Sequence, residues 1–256
     1  MTLPVSLRAV LPQETAETWE LIAPQLAPEL YLAGGTGLAV HLQHRKSRDL
    51  DFFYHRHAVD LDALALRLVE LRPFAIRDHS AGTLNGVFSQ TRVQFLHADE
   101  VAPQHLLEAP GMVAGLRLAS ISDVFALKLG AVAGRGELRD YFDLKIIEEK
   151  AGRRVEEGLS LFLARFGREA SDAVLMSIVR SLGYFDDVDE DAQLPESKQE
   201  IATYWKRRQP QIISSLSRQL PSPAAPLERP GPDDTFAEDL REIRESAGAP
   251  GDPWPS

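Results

Sequence analysis

Apolar and polar positions along this chain follow two rhythms, and the rhythm changes near its middle. Over residues 12–24, Trp19, Leu21 and Ile22 supply apolar positions at helical spacing and predict a helix. Leu30–Ala33 is a short apolar run and predicts a strand. Gly37–Gln43 predicts a helix that the Thr36 hydroxyl could cap. Leu50–Tyr54 predicts a second strand, and Asp60–Leu71, apolar at 61, 64, 66, 68 and 69, predicts a helix. Three more strands are expected at Phe74–His79, Thr83–Ser89 and Arg92–His97, parted by Ala81-Gly82 and Gln90-Thr91.

Past residue 115 the two-residue alternation stops. Ser122 can cap a helix through Val132, and Gly134-Arg135-Gly136 breaks it. Further helices are expected at about 137–150, 154–166, 169–182 and 197–219. The stretch from Pro221 on holds eight of the 17 prolines and reads as disordered. Within it, Thr235–Ser246 is a short amphipathic piece that could fold against a partner. The expected fold class is therefore α+β. A core over 1–115 carries a small, mixed or antiparallel sheet. An all-helical part covers 116–220, and an acidic, proline-rich tail covers 221–256.

Composition changes this picture in three places. The chain has 256 residues and no cysteine, which excludes disulfides and cysteine-bound zinc and fits a reducing, cytoplasmic compartment. Neither a leader-like apolar run at Met1–Pro12 nor a segment of membrane-spanning length is present, so no membrane partner is expected. The net charge of −10 is concentrated: 221–256 carries −5, and Asp186–Glu196 has six acids and no base. The remainder is close to neutral, so bulk charge does not exclude a nucleic-acid partner.

Candidate chemistry lies between the first two strands. Residues i and i+2 of a strand share a face. Asp49 and Asp51 therefore project together, while Leu50 and Phe52 turn to the core. Two adjacent carboxylates repel unless a cation joins them, and Mg²⁺ takes one or two carboxylates plus substrate phosphates. Upstream, Gly34 and Gly35 lie between a strand and a helix start. Without side chains they let a phosphate approach the free N–H groups of the helix terminus, and the Thr36 hydroxyl can add a hydrogen bond. Alone, a Gly-Gly-Thr turn is a tight turn and an Asp-x-Asp is a strand end. Gly-Gly-Thr, one helix, then Arg45-x-Ser47-x-Asp49-x-Asp51 is far more specific. His41 with His44, and His55 with His57, lack a third ligand in an evident motif and read as incidental.

A second cluster lies in the helical half. Lys128 sits in an apolar helix, with Arg135 seven residues on and so on nearly the same face. The break at Gly134–Gly136 folds the next helix back and brings Lys128 level with Asp140–Asp143. Two readings stay open. One is triphosphate binding by Lys128, with acid–base or positioning work by Asp140. The other is an interhelical ion-pair network, Lys128 with Asp143 and Arg139 with a nearby acid.

The run Tyr31–Phe53 resembles the first motif of the AbiEii/AbiGii toxin family of nucleotidyltransferases. Lys128-Leu129-Gly130-Ala131 through Arg135 resembles that family's Lys-Leu-x-Ala…Arg segment, and Arg139-Asp140-Tyr141-Phe142-Asp143-Leu144 its Asp-x-x-Asp segment. Gly183-Tyr184-Phe185-Asp186-Asp187 and Trp205 resemble a bacterial branch of the group. The resemblance covers about 12–215. It implies a DNA-polymerase-β-like nucleotidyltransferase core with a helical C-terminal part. It also implies Mg²⁺ as cofactor, a nucleoside triphosphate as substrate, a separately encoded antitoxin as partner, and an RNA acceptor such as transfer RNA. Carried over, Gly34, Gly35 and Thr36 bind phosphate, Arg45 and Ser47 support the nucleotide pocket, Asp49 and Asp51 hold metal, Lys128 and Arg135 bind the nucleotide, and Asp140 is catalytic.

One position departs from that pattern. Polymerase-β-like enzymes place a third carboxylate on a later strand, where this chain has Gln94. Asp140 or Asp143 substitutes, or one metal suffices, or activity is reduced. The leading expectation is a Mg²⁺-dependent nucleotidyltransferase toxin acting on RNA. The alternatives are nucleotidylation of a small molecule or protein, and a nucleotide- or partner-binding module that has lost catalysis. The base, the acceptor and the oligomeric state are not written in the sequence.

Overall fold

The structure is a computed structural model that describes residues 3–55, 58–71, 74–80, 82–98, 105–169 and 172–219. The tail, including Thr235–Ser246, lies outside the described residues, as do His57 and Ala81. The chain forms two compact units, Met1–Leu127 with Ala164–Gly167, and Lys128–Leu163 with Arg168–Ser256.

The first unit opens with α1 (Val5–Val10) and α2 (Gln13–Ile22), followed by β1 (Tyr31–Leu32), α3 (Gly34–Leu42), β2 (Leu50–Tyr54) and α4 (Leu61–Leu71). Then come β3 (Phe74–Ser80), β4 (Thr83–Phe88), β5 (Thr91–His97), β6 (Gly111–Val113) and β7 (Leu116–Leu118). The strands form one seven-stranded sheet, ordered β3-β4-β5-β2-β1-β7-β6. It is mixed: β1 runs parallel to β7 and β2 parallel to β5, while the other neighbours are antiparallel.

The period-two pattern decides which sheet face is buried. In β2, Leu50, Phe52 and Tyr54 are buried, while Asp51 and Phe53 are partly exposed. In β4, Leu84, Gly86 and Phe88 are buried, and Thr83, Asn85 and Val87 are partly exposed. The apolar face joins Trp19 and Ile22 of α2 and Leu61, Leu64 and Leu68 of α4 in one core with Leu32, Phe52, Phe95 and Leu118. Phe52 and Phe95, partners across the parallel β2–β5 pair, stack with ring centroids 5.3 Å apart. The opposite face carries the polar residues of the site.

The helices that follow are α5 (Ile121–Gly134), α6 (Leu138–Lys150), α7 (Val155–Arg165), α8 (Asp172–Leu182) and α9 (Lys198–Gln219). The boundary between the units falls inside α5, and the end of α7 returns to the first unit. There Arg165, fully buried, is ion-paired with the equally buried Asp123 and donates to the Tyr31 hydroxyl at 3.1 Å. Asp123 also accepts from Leu107 N–H at 3.0 Å and the Ser120 hydroxyl at 2.7 Å. Ser120 in turn accepts from the Asp123 N–H, so it caps α5 in place of the expected Ser122.

One expected helix shifts its start. The helix expected from Gly37 starts at Gly34, so Thr36 lies in its first turn and does not cap it. The sheet also has two strands, β6 and β7, and the chain a helix, α1, that the pattern did not announce.

Candidate active site

The site grows out of the β1–α3 turn. Gly34 has φ +61°, a conformation that favours glycine. A Cβ placed there would lie 2.4 Å from Asp51 Oδ2, so the bare backbone at Gly34 is what lets Asp51 sit against the turn. A Cβ on Gly35 would lie 2.5 Å from Arg45 Nη2 and 3.4 Å from Ser47 Oγ. The turn therefore touches Asp51 on one side and Arg45 and Ser47 on the other. The α3 bond from Gly37 N–H to the Ala33 carbonyl, at 2.9 Å, leaves the N–H groups of residues 34–36 ahead of the helical ladder. Those groups, the helix dipole and the Arg45 guanidinium are together what an anion could dock against.

Thr36 is buried and faces inward. Its hydroxyl lies 2.7 Å from the Ser47 hydroxyl and is hydrogen-bonded to the Asp49 carbonyl. A carbonyl only accepts, so the Thr36 proton goes there and Ser47 donates to Thr36. This side chain ties the glycine turn to the carboxylate loop, and what it offers a phosphate is its backbone N–H. The loop is held from behind as well. Ser47 N–H donates to the Val10 carbonyl at 2.9 Å, and the Thr15 hydroxyl donates to the Arg48 carbonyl at 3.0 Å. The otherwise unannounced α1 thus helps fix Ser47, two residues before Asp49.

Asp51 is the second residue of β2, and its carbonyl accepts from Ala33 N–H at 2.9 Å. Across the sheet, Asp51 is in register with Gln94, and Gln94 with Asn85. The Gln94 amide donates to Asn85 Oδ1 at 3.2 Å. Two residues towards the loop, Arg92 Nη2 lies 2.9 Å from Asp49 Oδ2. Sequence reading missed Arg92. Its only signal was period two from Gln94, and the parallel β2–β5 register that brings it to Asp49 is a tertiary fact.

Asp51 lies against the glycine turn and Asp49, two residues earlier, pairs with Arg92; both are hard oxygen donors. That set fits a magnesium-like ion completed by substrate phosphates. No group of three or more acids or histidines that could hold a metal occurs among the described residues.

The helical cluster lies in the second unit. Lys128 Nζ is 2.6 Å from Asp140 Oδ1 and 2.7 Å from Asp143 Oδ2, and all three are buried. Arg135 Nε adds a bond of 3.0 Å to Asp140 Oδ2, and Arg139 pairs with Glu137 at 2.5 Å. Burial by itself would raise the Asp140 carboxyl, but Lys128 and Arg135 outweigh it and hold the group well below the usual carboxylate range. Asp140 is therefore ionised at working pH. Next to it, the Trp205 indole donates to the Tyr141 carbonyl at 3.0 Å, and the Tyr141 and Phe185 rings pack 4.4 Å apart. The Tyr141 hydroxyl donates towards the Ser181 and Tyr184 carbonyls at 3.1 and 3.2 Å, and burial raises its pKa. The scattered segments around 140, 184 and 205 thus converge on one tyrosine.

The glycine turn, the two aspartates and the lysine–aspartate helix pair fall within one family model, the nucleotidyl transferase AbiEii toxin of type IV toxin–antitoxin systems, which matches residues 19–242. The chain belongs to the AbiEii nucleotidyltransferase toxin family. As an AbiEii protein it is a nucleotidyltransferase, and its α+β fold is of the nucleotidyltransferase kind. It is 29% identical over 200 residues to the protein aq_aa25 of Aquifex aeolicus, covering 77% of this chain and 91% of that one. Among solved structures it is similar to JHP933 from Helicobacter pylori, at 19% identity and TM-score 0.48, covering 84% of this chain and 91% of that one. It is also similar to MenT4, a nucleotidyltransferase toxin from Mycobacterium tuberculosis, at 18% identity and TM-score 0.48, covering 89% and 87%.

Proposed function

We propose that this AbiEii toxin transfers a nucleoside monophosphate from a nucleoside triphosphate to an RNA acceptor, transfer RNA by preference, in a Mg²⁺-dependent reaction in the cytoplasm. The observation that carries the reading is the contact between Gly34 and Asp51, because it joins an anion cradle to a carboxylate pair. In this reading the N–H groups of Gly34, Gly35 and Thr36, with Arg45, hold the β- and γ-phosphates. Ser47 and Thr36 keep the Asp49 backbone in place. Asp49 and Asp51 would hold the Mg²⁺, which when bound neutralises charge on the phosphates and lowers the barrier to attack. An acceptor hydroxyl oxygen bonds to the α-phosphorus and gives up its proton to water as the bond to the bridging oxygen breaks, and pyrophosphate leaves with that electron pair.

Lys128, Arg135 and Asp140 enter this proposal as a fixed charge network. Asp140 holds no proton to give and is paired on both oxygens, which supports positioning over acid–base work. An RNA acceptor rests on the family resemblance. Nucleotidylation of a protein or small molecule is the alternative acceptor class. Gln94, in place of a third acid, favours a second reading as a binding module without catalysis.

One labelling experiment separates these. The protein is incubated with each α-³²P-labelled nucleoside triphosphate, Mg²⁺ and total RNA, total protein or aminoglycosides. Label in RNA, lost in Asp51→Asn, is the expected result. Label in protein or in a small molecule moves the acceptor to that class. Triphosphate binding with no label anywhere would overturn the enzymatic proposal.

A further inference from the structure

We propose that Arg92 is a built-in cation of the carboxylate site, so that the protein takes one divalent ion where a three-carboxylate enzyme takes two. The inference rests on the function proposed above. Its basis is two side-chain pairings along one edge of the β2–β5 pair. Just ahead of β2, Arg92 Nη2 lies 2.9 Å from Asp49 Oδ2. Two residues further on, Asp51 is in register with Gln94, which is buried and bonded to Asn85 at 3.2 Å. Both carboxylates therefore face a cation or a neutral amide on β5, where a third acid would otherwise stand.

The charges explain why this pairing matters. Two carboxylates and a third acid present about −3, which two divalent ions offset. Asp49, Asp51 and Arg92 together present about −1, which suits a single ion. An amide carbonyl such as that of Gln94 is a weaker ligand than a carboxylate and adds no charge. Arg92 is also anchored: β5 is an interior strand of the sheet, with Val93 and Phe95 on its buried side. A guanidinium cannot lose its proton at working pH, so the positive charge persists whether or not metal is bound. With the ion in place, Arg92 keeps Asp49 oriented and adds positive charge to the phosphate-transfer site. Arg92 is thus a positioning residue that acts through Asp49.

The test uses Mn²⁺ as the probe, counted by electron paramagnetic resonance on the full chain saturated with α,β-methylene nucleoside triphosphate. One Mn²⁺ per chain is expected, and two would overturn the proposal. A second measurement follows Mn²⁺ affinity without nucleotide. Arg92→Gln removes a competing positive charge, so affinity should rise about fivefold while the labelling kcat falls. Arg92→Lys should return both towards wild type. A merely structural role would weaken both metal binding and turnover, and unchanged or weaker Mn²⁺ binding in a folded Arg92→Gln protein overturns the proposal. Asp51→Asn serves as the metal-free control. Wild-type protein that neither binds Mn²⁺ nor labels any acceptor removes the proposed function and this inference together. Wild-type protein that labels RNA while holding two ions removes this inference alone.

Discussion

Position 34 is under two restraints at once, a backbone at φ +61° and a carboxylate oxygen where a side chain would go. Gly34→Ala should therefore lower stability by about 1–2 kcal/mol from the left-handed backbone alone. It should also displace Asp51. The checks are a thermal melt and Mn²⁺ binding, and a variant with normal metal affinity would separate the turn from the metal role. Asp49→Asn and Asp51→Asn are close in shape but remove a charge each. They should cut labelling by about 10³-fold and leave the melting temperature within a few degrees, because neither carboxylate lies in the apolar core. The carboxylate pair could be read from sequence because period two is a local property. The inward bond of Thr36 could not, since it depends on where residues 43–49 fold back, and α1, with six residues, decides part of that.

At the scale of elements, the α5–α6 pair is the most sensitive to charge. Lys128→Met removes the buried cation that Asp140 and Asp143 share, leaving Arg135 to Asp140, and should cost about 3–5 kcal/mol, read from chemical denaturation. The pH dependence has a definite sign. The folded-state pKa of Asp140 is depressed below its ordinary 3.8, so the network's contribution is complete above about pH 4 and is lost as pH falls below it. In Lys128→Met that acid-side slope should flatten. A slope unchanged from wild type would mean that Lys128 does not hold Asp140 down. Long elements were legible: β2 and α6–α9 fall within a few residues of their expected places, because each repeats its period several times. β6 and β7, three residues each, repeat it barely once, and only their pairing with β1 and with each other makes them strands. The shift of α3 to Gly34 has the opposite cause. Glycines read as a turn, but the turn closes directly into the helix so that its N–H groups point outward.

For the molecule as a whole, no helix among the described residues is long and apolar enough to cross a membrane. As a toxin-family protein it should arrest growth when induced on its own, and Asp51→Asn should not. Arrest by that variant at equal expression would place toxicity outside nucleotide transfer. The first unit is discontinuous, since Ala164–Gly167 belongs to it although 36 intervening residues belong to the second. Arg165, carried by that short return, is the buried counter-ion of Asp123. A polypeptide ending at Leu127 would keep the aspartate and lose the arginine. Such a fragment should fail to fold and be digested quickly by protease, whereas supplying the remainder as a separate chain should restore resistance. Splitting the gene after Leu127 should therefore not release a free-standing first unit.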